Sequence, residues 1–464
     1  MRIGEQIMEN KISNTDFIEQ LIYLLGAFVL SFFNISIFLY IAFLYTVVFE
    51  FKKFFHDKKI FPIIKIIIAS IIIPNNYIIT IMTIIVYLLT IKHKKNVNIY
   101  AFILIFVLIF SIIINFVGIM NVSFGLLYLL PSFIIFSFFE KFKNEIKDSR
   151  DEITNISKQV IKLQVFAIVV YAIRNFKTLL MGGNANDWLT GTFGYHQGNI
   201  LLYYMLFSIL VLKESYDRTK SKKDMIYIFI SIIICILTNS IALTLLFILS
   251  YFVIVFIKSS IKKKIMNLGV LILILIIFML LTPKWIQRYI IRLTDFEYFS
   301  NTVAKFHVYE DTFVNIPKND IKFFIVGNGM GGYSSRAALT CTGSYIDSYS
   351  TLFKPSITAY TEEYILKRYI KYNIQQGQGT LYSPFSSILT IQGEYGIVGT
   401  ILFLTLIYLM IKKSGTYSNI FILFFFFSCF IENYVEFEKV MALVFILYFM
   451  NQKNNIKLEK DKLE

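Results

Sequence analysis

The side chains of this chain that are able to do chemistry are cations, histidines and carboxylates placed beside long apolar blocks. Arg174 and Lys177 lie about one helical turn apart near the end of the apolar block 160–180. An ionisable group at membrane depth is costly and by default faces a cavity or a partner, the other reading being that both side chains snorkel to headgroups. Arg288 and Arg292 stand just beyond a further block, 265–281, where they suit either lipid headgroups or an anionic ligand. Arg336 follows a glycine-rich run of Gly327, Gly329, Gly331 and Gly332, and Arg368 precedes Gly379 with ten residues between. Cations fixed in a water-poor cleft stabilise negative charge that builds on a leaving group. His196 and His307 titrate near neutrality, and either suits a general base for a hydroxyl. Glu394, at the start of the block 387–411, is another candidate base. The glycines allow a tight turn and close helix approach, but no Lys-Ser/Thr completes a phosphate loop. There is one Asp-x-Glu at Asp295 and Glu297, no Asp-x-Asp and no zinc spacing, so no metal is expected.

These residues have to be positioned by membrane helices. Of 464 residues, 56% are hydrophobic and only 16% charged, and the apolar residues run in blocks instead of a 3.6-residue stripe. That excludes a soluble enzyme, a disordered chain and a disulfide scaffold, and leaves an all-α polytopic integral membrane protein. The net charge of +15 comes mainly from short connections between blocks, which reads as a topology signal and not as a nucleic-acid surface. Cys235 and Cys429 lie in apolar blocks and Cys341 in a polar region, with no metal or redox spacing. The first 20 residues have no small-residue cleavage site after a short apolar core and are expected to be retained.

Single spans are expected at 100–117, 122–139, 160–180, 265–281 and 387–411, with a short one at 199–212. The blocks 16–51, 60–91, 225–257 and 418–450 are too long for one upright helix. Each reads as a hairpin, broken at 34–36, 74–76, 239–240 and in the acidic turn 432–438. The total is about 14 helices, within a range of about 12–14. Under this count the basic clusters at 52–59, 92–95, 141–158, 213–223, 258–264 and 412–413 all face the cytoplasm, as do both termini. The expected organisation is an N-terminal transmembrane bundle of about 11 helices over 1–282 and a large, partly helical extracytoplasmic loop over 283–386. About three C-terminal transmembrane helices over 387–451 and a cytoplasmic tail over 452–464 complete it.

Four stretches carry a family resemblance. Thr190-Gly191-Thr192-Phe193-Gly194-Tyr195-His196-Gln197-Gly198-Asn199 leads into a span. Leu237-Thr238-Asn239-Ser240-Ile241-Ala242 sits between two spans. In the loop, a helical stretch 305–315 is followed by Pro317 and by Gly327-Asn328-Gly329. Finally Phe385-Ser386-Ser387-Ile388-Leu389 and Glu394-Tyr395-Gly396-Ile397-Val398-Gly399 open the next span. Over roughly residues 185–410 this resembles the bacterial O-antigen and capsular polysaccharide polymerases (Wzy-type) and the related O-antigen ligases. The chain departs from the family pattern at three positions. Ile241 replaces an arginine, Lys305 stands where an arginine is usual and loses its bidentate fork, and Phe385 occupies the place of a histidine proposed to be catalytic in ligases.

The resemblance implies a membrane glycosyltransferase that polymerises undecaprenyl-pyrophosphate-linked oligosaccharide repeat units into O-antigen, capsule or exopolysaccharide at the outer face of a bacterial plasma membrane. Arg174, Arg336, Arg368, Glu394 and His196 would be catalytic; Lys177, Arg288, Arg292, Lys305, His307, Gly327 and Gly329 would bind substrate. No cofactor is implied. The expected partners are the lipid-linked oligosaccharide, the bilayer, a chain-length regulator and a flippase, with no nucleic acid. Aromatic residues of the loop, Tyr333, Tyr360 and Tyr364 among them, would stack on sugar rings. A ligase is the alternative within the superfamily. From another class, the rival is a lipid-linked oligosaccharide flippase or transporter, which would call for internal repeats and discontinuous helices that the sequence does not display.

Overall fold

The structure, a computed structural model, describes residues 35–57, 61–74, 76–90, 109, 113–115, 118–174, 190–193, 197–238, 240–258, 264, 269, 303–342, 357–368 and 385–453. The longer helices in chain order are α1 (Ile35–Asp57), α2 (Phe61–Ile72), α3 (Asn76–Thr90), α4 (Ile119–Lys141), α5 (Arg150–Arg174), α6 (Gly198–Thr219), α7 (Lys222–Leu237), α8 (Ile241–Lys258), α9 (Ser387–Lys413), α10 (Thr416–Ser428) and α11 (Glu438–Met450). Short helical turns fill 304–326, 336–341 and 361–366. Among the described residues there is no strand, only an isolated bridge between Ser414 and Gln452.

Among the described residues three helices, α4, α9 and most of α5, are long and apolar enough to cross a membrane, and α2, α8 and α10 are shorter apolar helices. The long apolar blocks break where their polar residues interrupt them. The expected break at 239–240 falls partly outside the described residues, whereas Pro74 lies between α2 and α3 and 429–437 between α10 and α11. A proline or a small polar residue withdraws backbone from the helical ladder, so the chain turns there. Of the first expected break, 34–36, residues 35 and 36 already belong to α1, while the blocks 100–117 and 265–281 fall largely outside the described residues. The helix expected from residue 160 begins instead at Arg150. Residues 150–159 are charged and polar helix formers, with Asp151 and Glu152 in the first turn, where they complement the helix dipole.

The chain divides into two compact units, Met1–Leu89 with Asn144–Ser240, and Thr90–Lys143 with Ile241–Glu464. In the first, α1 packs on α2, with Phe43, Ile66, Ile73 and Met82 in the core. Lys65 is held 3.3 Å from the buried Glu50. Gln164 of α5 fixes the turn Gly191–Phe193 by donating to Thr192 Oγ1 (2.7 Å) and accepting from Thr192 N–H (2.9 Å). The Thr192 hydroxyl then donates to the Ile72 carbonyl (2.9 Å). At the start of α7 the buried Asp224 takes Lys158 at 2.6 Å and the Ser215 hydroxyl at 2.7 Å.

In the second unit, α4 packs along α11 through Phe136, whose ring lies 5.1 Å from Phe445 and 5.6 Å from Phe449. Helix α8 packs on α10, where Phe247 meets Phe424 edge to face. The described parts of 303–368 share one core with the start of α9, built on Val308, Ile316, Phe323, Tyr333, Ile365 and Leu389. Tyr333, expected to meet sugar, is fully buried there with its hydroxyl on Thr312, and Tyr360 packs on Phe323 and donates to Asp320.

Candidate functional site

The site lies in the second unit, at the end where α9 begins, α10 ends and α11 begins. Ser386 caps α9, its hydroxyl oxygen accepting from Leu389 N–H, and the Ser387 N–H donates to the Glu432 carbonyl. The Tyr309 hydroxyl reaches both Ser386 (2.8 Å) and the Phe430 carbonyl (3.0 Å). These bonds fasten the loop, the head of α9 and the acidic turn 432–438 together.

The glycine-rich run lies against Glu394 and its backbone. Asn328 N–H donates to the Gly393 carbonyl (2.8 Å) and Gly329 N–H to the Glu394 carbonyl (3.0 Å). Gly327 (φ 71°) faces the Glu394 backbone so closely that any Cβ would collide, and Gly396 (φ 62°) faces the Ile325 carbonyl in the same way. Only glycine fits this double approach at positive φ. Beyond the run the chain curls around the Glu394 carboxylate, which accepts from the N–H groups of Gly331 (2.8 Å), Tyr333 (3.3 Å) and Ser335 (3.3 Å). Glu394 is therefore buried with its oxygens engaged by main-chain donors, and it organises the turn that presents Arg336.

Arg336 opens the short helix Arg336–Cys341, which Ser335 caps. Its backbone N–H donates to Glu436 (2.9 Å), which also accepts from the Asn433 amide (2.6 Å). The guanidinium lies 3.4 Å above the centre of the Phe437 ring. Among the described residues it makes no hydrogen bond, so its donors are unspent while the ring and neighbouring carboxylates hold its position. Lys305, buried, donates to the Ile431 carbonyl at the edge of the same turn.

The electrostatics follow from this burial. Burial pushes the Lys305 ammonium down to about 8, against the pull of Glu432. Burial raises Glu432, while Lys305 and Arg336 draw it back toward ionisation. Glu436 is pushed up to about 8, first by burial and then by the nearby Glu394, against the Arg336 N–H and its charge. The corner thus holds an arginine fork, a depressed lysine and carboxylates displaced toward the neutral range. Such a set can bind an oxyanion and exchange a proton near pH 7. Among the described residues no group of three His, Cys, Asp or Glu side chains is arranged to hold a metal ion.

Of the residues expected from sequence, Arg336, Glu394, Lys305, Gly327 and Gly329 come together here. Arg368 pairs with the buried Asp311 (2.9 Å), tying the segment 361–368 to the helical stretch 304–319. His307 lies beside Glu310 at 3.9 Å. Arg174 ends α5, in the other unit. Lys177, His196, Arg288 and Arg292 lie outside the described residues. The residues missed in the sequence are Glu432, Glu436 and Phe437. Their signal was present as the acidic turn between two apolar blocks, which reads as topology unless the loop is known to reach it.

Comparison with protein-family models, with curated proteins and with solved structures brings no match. The arrangement at the head of α9 therefore has to be read on its own chemistry.

Proposed function

We propose that the chain is a membrane glycosyltransferase that polymerises undecaprenyl-pyrophosphate-linked repeat units into a surface polysaccharide, its large loop lying at the outer face of a bacterial plasma membrane. The observation that carries this reading is Arg336, a guanidinium seated on Phe437 that spends no donor on the described residues, beside carboxylates at the head of apolar helices. In the proposed reaction an acceptor hydroxyl attacks the anomeric carbon of the donor glycan. The carbon–oxygen bond to pyrophosphate breaks with its electron pair staying on the leaving oxygen, and a glycosidic bond forms. Arg336 stabilises the departing pyrophosphate, and Glu432, half-buried beside Lys305 and Arg336, takes the hydroxyl proton.

Charge placement supports the orientation. The loop and acidic turn meet one end of α9, while Lys412 and Lys413 close the other, where Lys453 N–H donates to the Lys413 carbonyl (2.9 Å). Helix α4 meets the loop near its start, through Asn121 and Gly331, and ends in Lys141. Lysines at the end away from the loop match a cytoplasmic face. Phe385, which replaces the ligase histidine, is half-buried against the loop core and offers no proton acceptor, which favours polymerase over ligase.

The test is to reconstitute the purified protein with lipid-linked repeat units and resolve products by size. A ladder of lengths is expected. A single block moved to a different acceptor would make it a ligase, and transbilayer movement without bond formation would make it a flippase.

A further inference from the structure

The first unit contains a groove of about 500 Å³ between α5 and α7. Its mouth carries Lys162 and Lys223, and its walls are aliphatic, formed by Ile161 and Val165 on one side and Ile226 and Ile230 on the other. Both helices change character at this level. On α5 the charged residues Arg150, Asp151, Glu152, Lys158 and Lys162 precede an apolar run to Ile173. On α7, Lys222, Lys223 and Asp224 precede an apolar run to Leu237. The Lys158–Asp224 ion pair, 2.6 Å long, sets the two boundaries side by side, so the groove straddles the plane where polar surface gives way to apolar surface.

Asp224 neutralises Lys158. Among the described residues Lys162 and Lys223 have no carboxylate or hydrogen-bond partner, and both are exposed. On the apolar side Val165 and Ile226 are exposed as well. Two unneutralised ammonium groups above an open aliphatic channel complement an amphiphile with a net negative head and a hydrocarbon tail. A soluble anion would leave the channel wet, and a zwitterionic head would bring a cation of its own to the lysines.

We propose that this groove binds one anionic phospholipid, its phosphate held between Lys162 and Lys223 and an acyl chain lying along Val165, Ile226 and Ile230. Tyr227, at the same level, supplies an interfacial hydroxyl beside the ester region. Basic pockets between helices near the headgroup layer are a recurrent form of lipid recognition, and each lysine near the surface contributes about fivefold in affinity.

The experiment measures lipid retained by the purified full-length protein, using native mass spectrometry from micelles containing equal amounts of phosphatidylglycerol and phosphatidylcholine with identical chains. The wild type is expected to retain phosphatidylglycerol preferentially. Lys162→Gln with Lys223→Gln should lower that retention on the order of 25-fold, about fivefold for each lysine. Lys213→Gln, whose ammonium is already paired with Asp217 on an exposed surface, should leave it unchanged. Ile226→Trp, which fills the channel without changing charge, should also release the lipid. Retention that survives either the double lysine change or the channel-filling change overturns the site, as does equal retention of the two lipids. Release of the lipid by millimolar inorganic phosphate, with Ile226→Trp having no effect, would make it a simple anion site and overturn the lipid assignment. All the substituted side chains except Lys213, which is half-exposed, are exposed, and thermal unfolding checks that each variant is folded.

Discussion

Arg336 is held by its surroundings without being consumed by them. Phe437 supports the flat face of the guanidinium, and the backbone N–H of Arg336 donates to Glu436. In the glycosyltransferase reading, Arg336→Ala should lower chain growth on the order of 10²–10³-fold, the usual loss when one donor to a developing oxyanion is removed. Arg336→Lys keeps the charge but not the fork and should fall between the two; the ladder assay reads both. Glu436 gives a pH signature. Its carboxyl is raised from 4.5 to about 8, so the folded protein binds the proton more tightly than the unfolded chain does. Its stabilisation is full below about 4.5 and is lost as pH rises through about 8. Glu436→Gln should therefore flatten the fall of the thermal midpoint between about pH 5 and 8, and an unchanged slope would assign that proton to another group. Arg336 and Glu394 were legible in the sequence because a glycine run precedes one and a glycine pattern follows the other. Glu436 was not, because its partner lies 100 residues away and nothing local marks it.

Among the elements, the join between 321–329 and α9 depends on two backbones in near contact. Gly327 and Gly396 each take positive φ with no room for a methyl group. Gly327→Ala should combine backbone strain of about 1–3 kcal/mol with a steric clash. The loss should appear as a lower unfolding midpoint in detergent, accompanied by loss of chain growth. Two helix breaks were legible, since Pro74 and the acidic turn interrupt apolar runs where the chain does turn. The start of α5 was not, because hydropathy marks where lipid contact begins whereas helix formation depends on backbone and capping, which here extend into the charged residues 150–159. The reach of the loop onto the acidic turn was equally invisible, being a set of tertiary contacts with no sequence period.

For the molecule as a whole, the proposed orientation is testable by labelling. Cys341 is a poor reporter, because it is buried and burial pushes its thiol up to about 11. Exposed positions serve better. An impermeant maleimide should label Glu362→Cys in intact cells, or in spheroplasts where an outer membrane exists, and should label Lys412→Cys only after lysis. The reverse pattern would invert the bundle and remove the site from the outer face. The kink at Gly396 also fixes how much of α9 remains to traverse lipid. Residues 397–413 rise about 25 Å at about 1.5 Å per residue, whereas a hydrocarbon layer is about 30 Å thick. A span this short is met by local thinning of the bilayer or by snorkelling of Lys412 and Lys413, and in the glycosyltransferase reading thinning would bring the diphosphate of a polyprenyl carrier closer to Arg336.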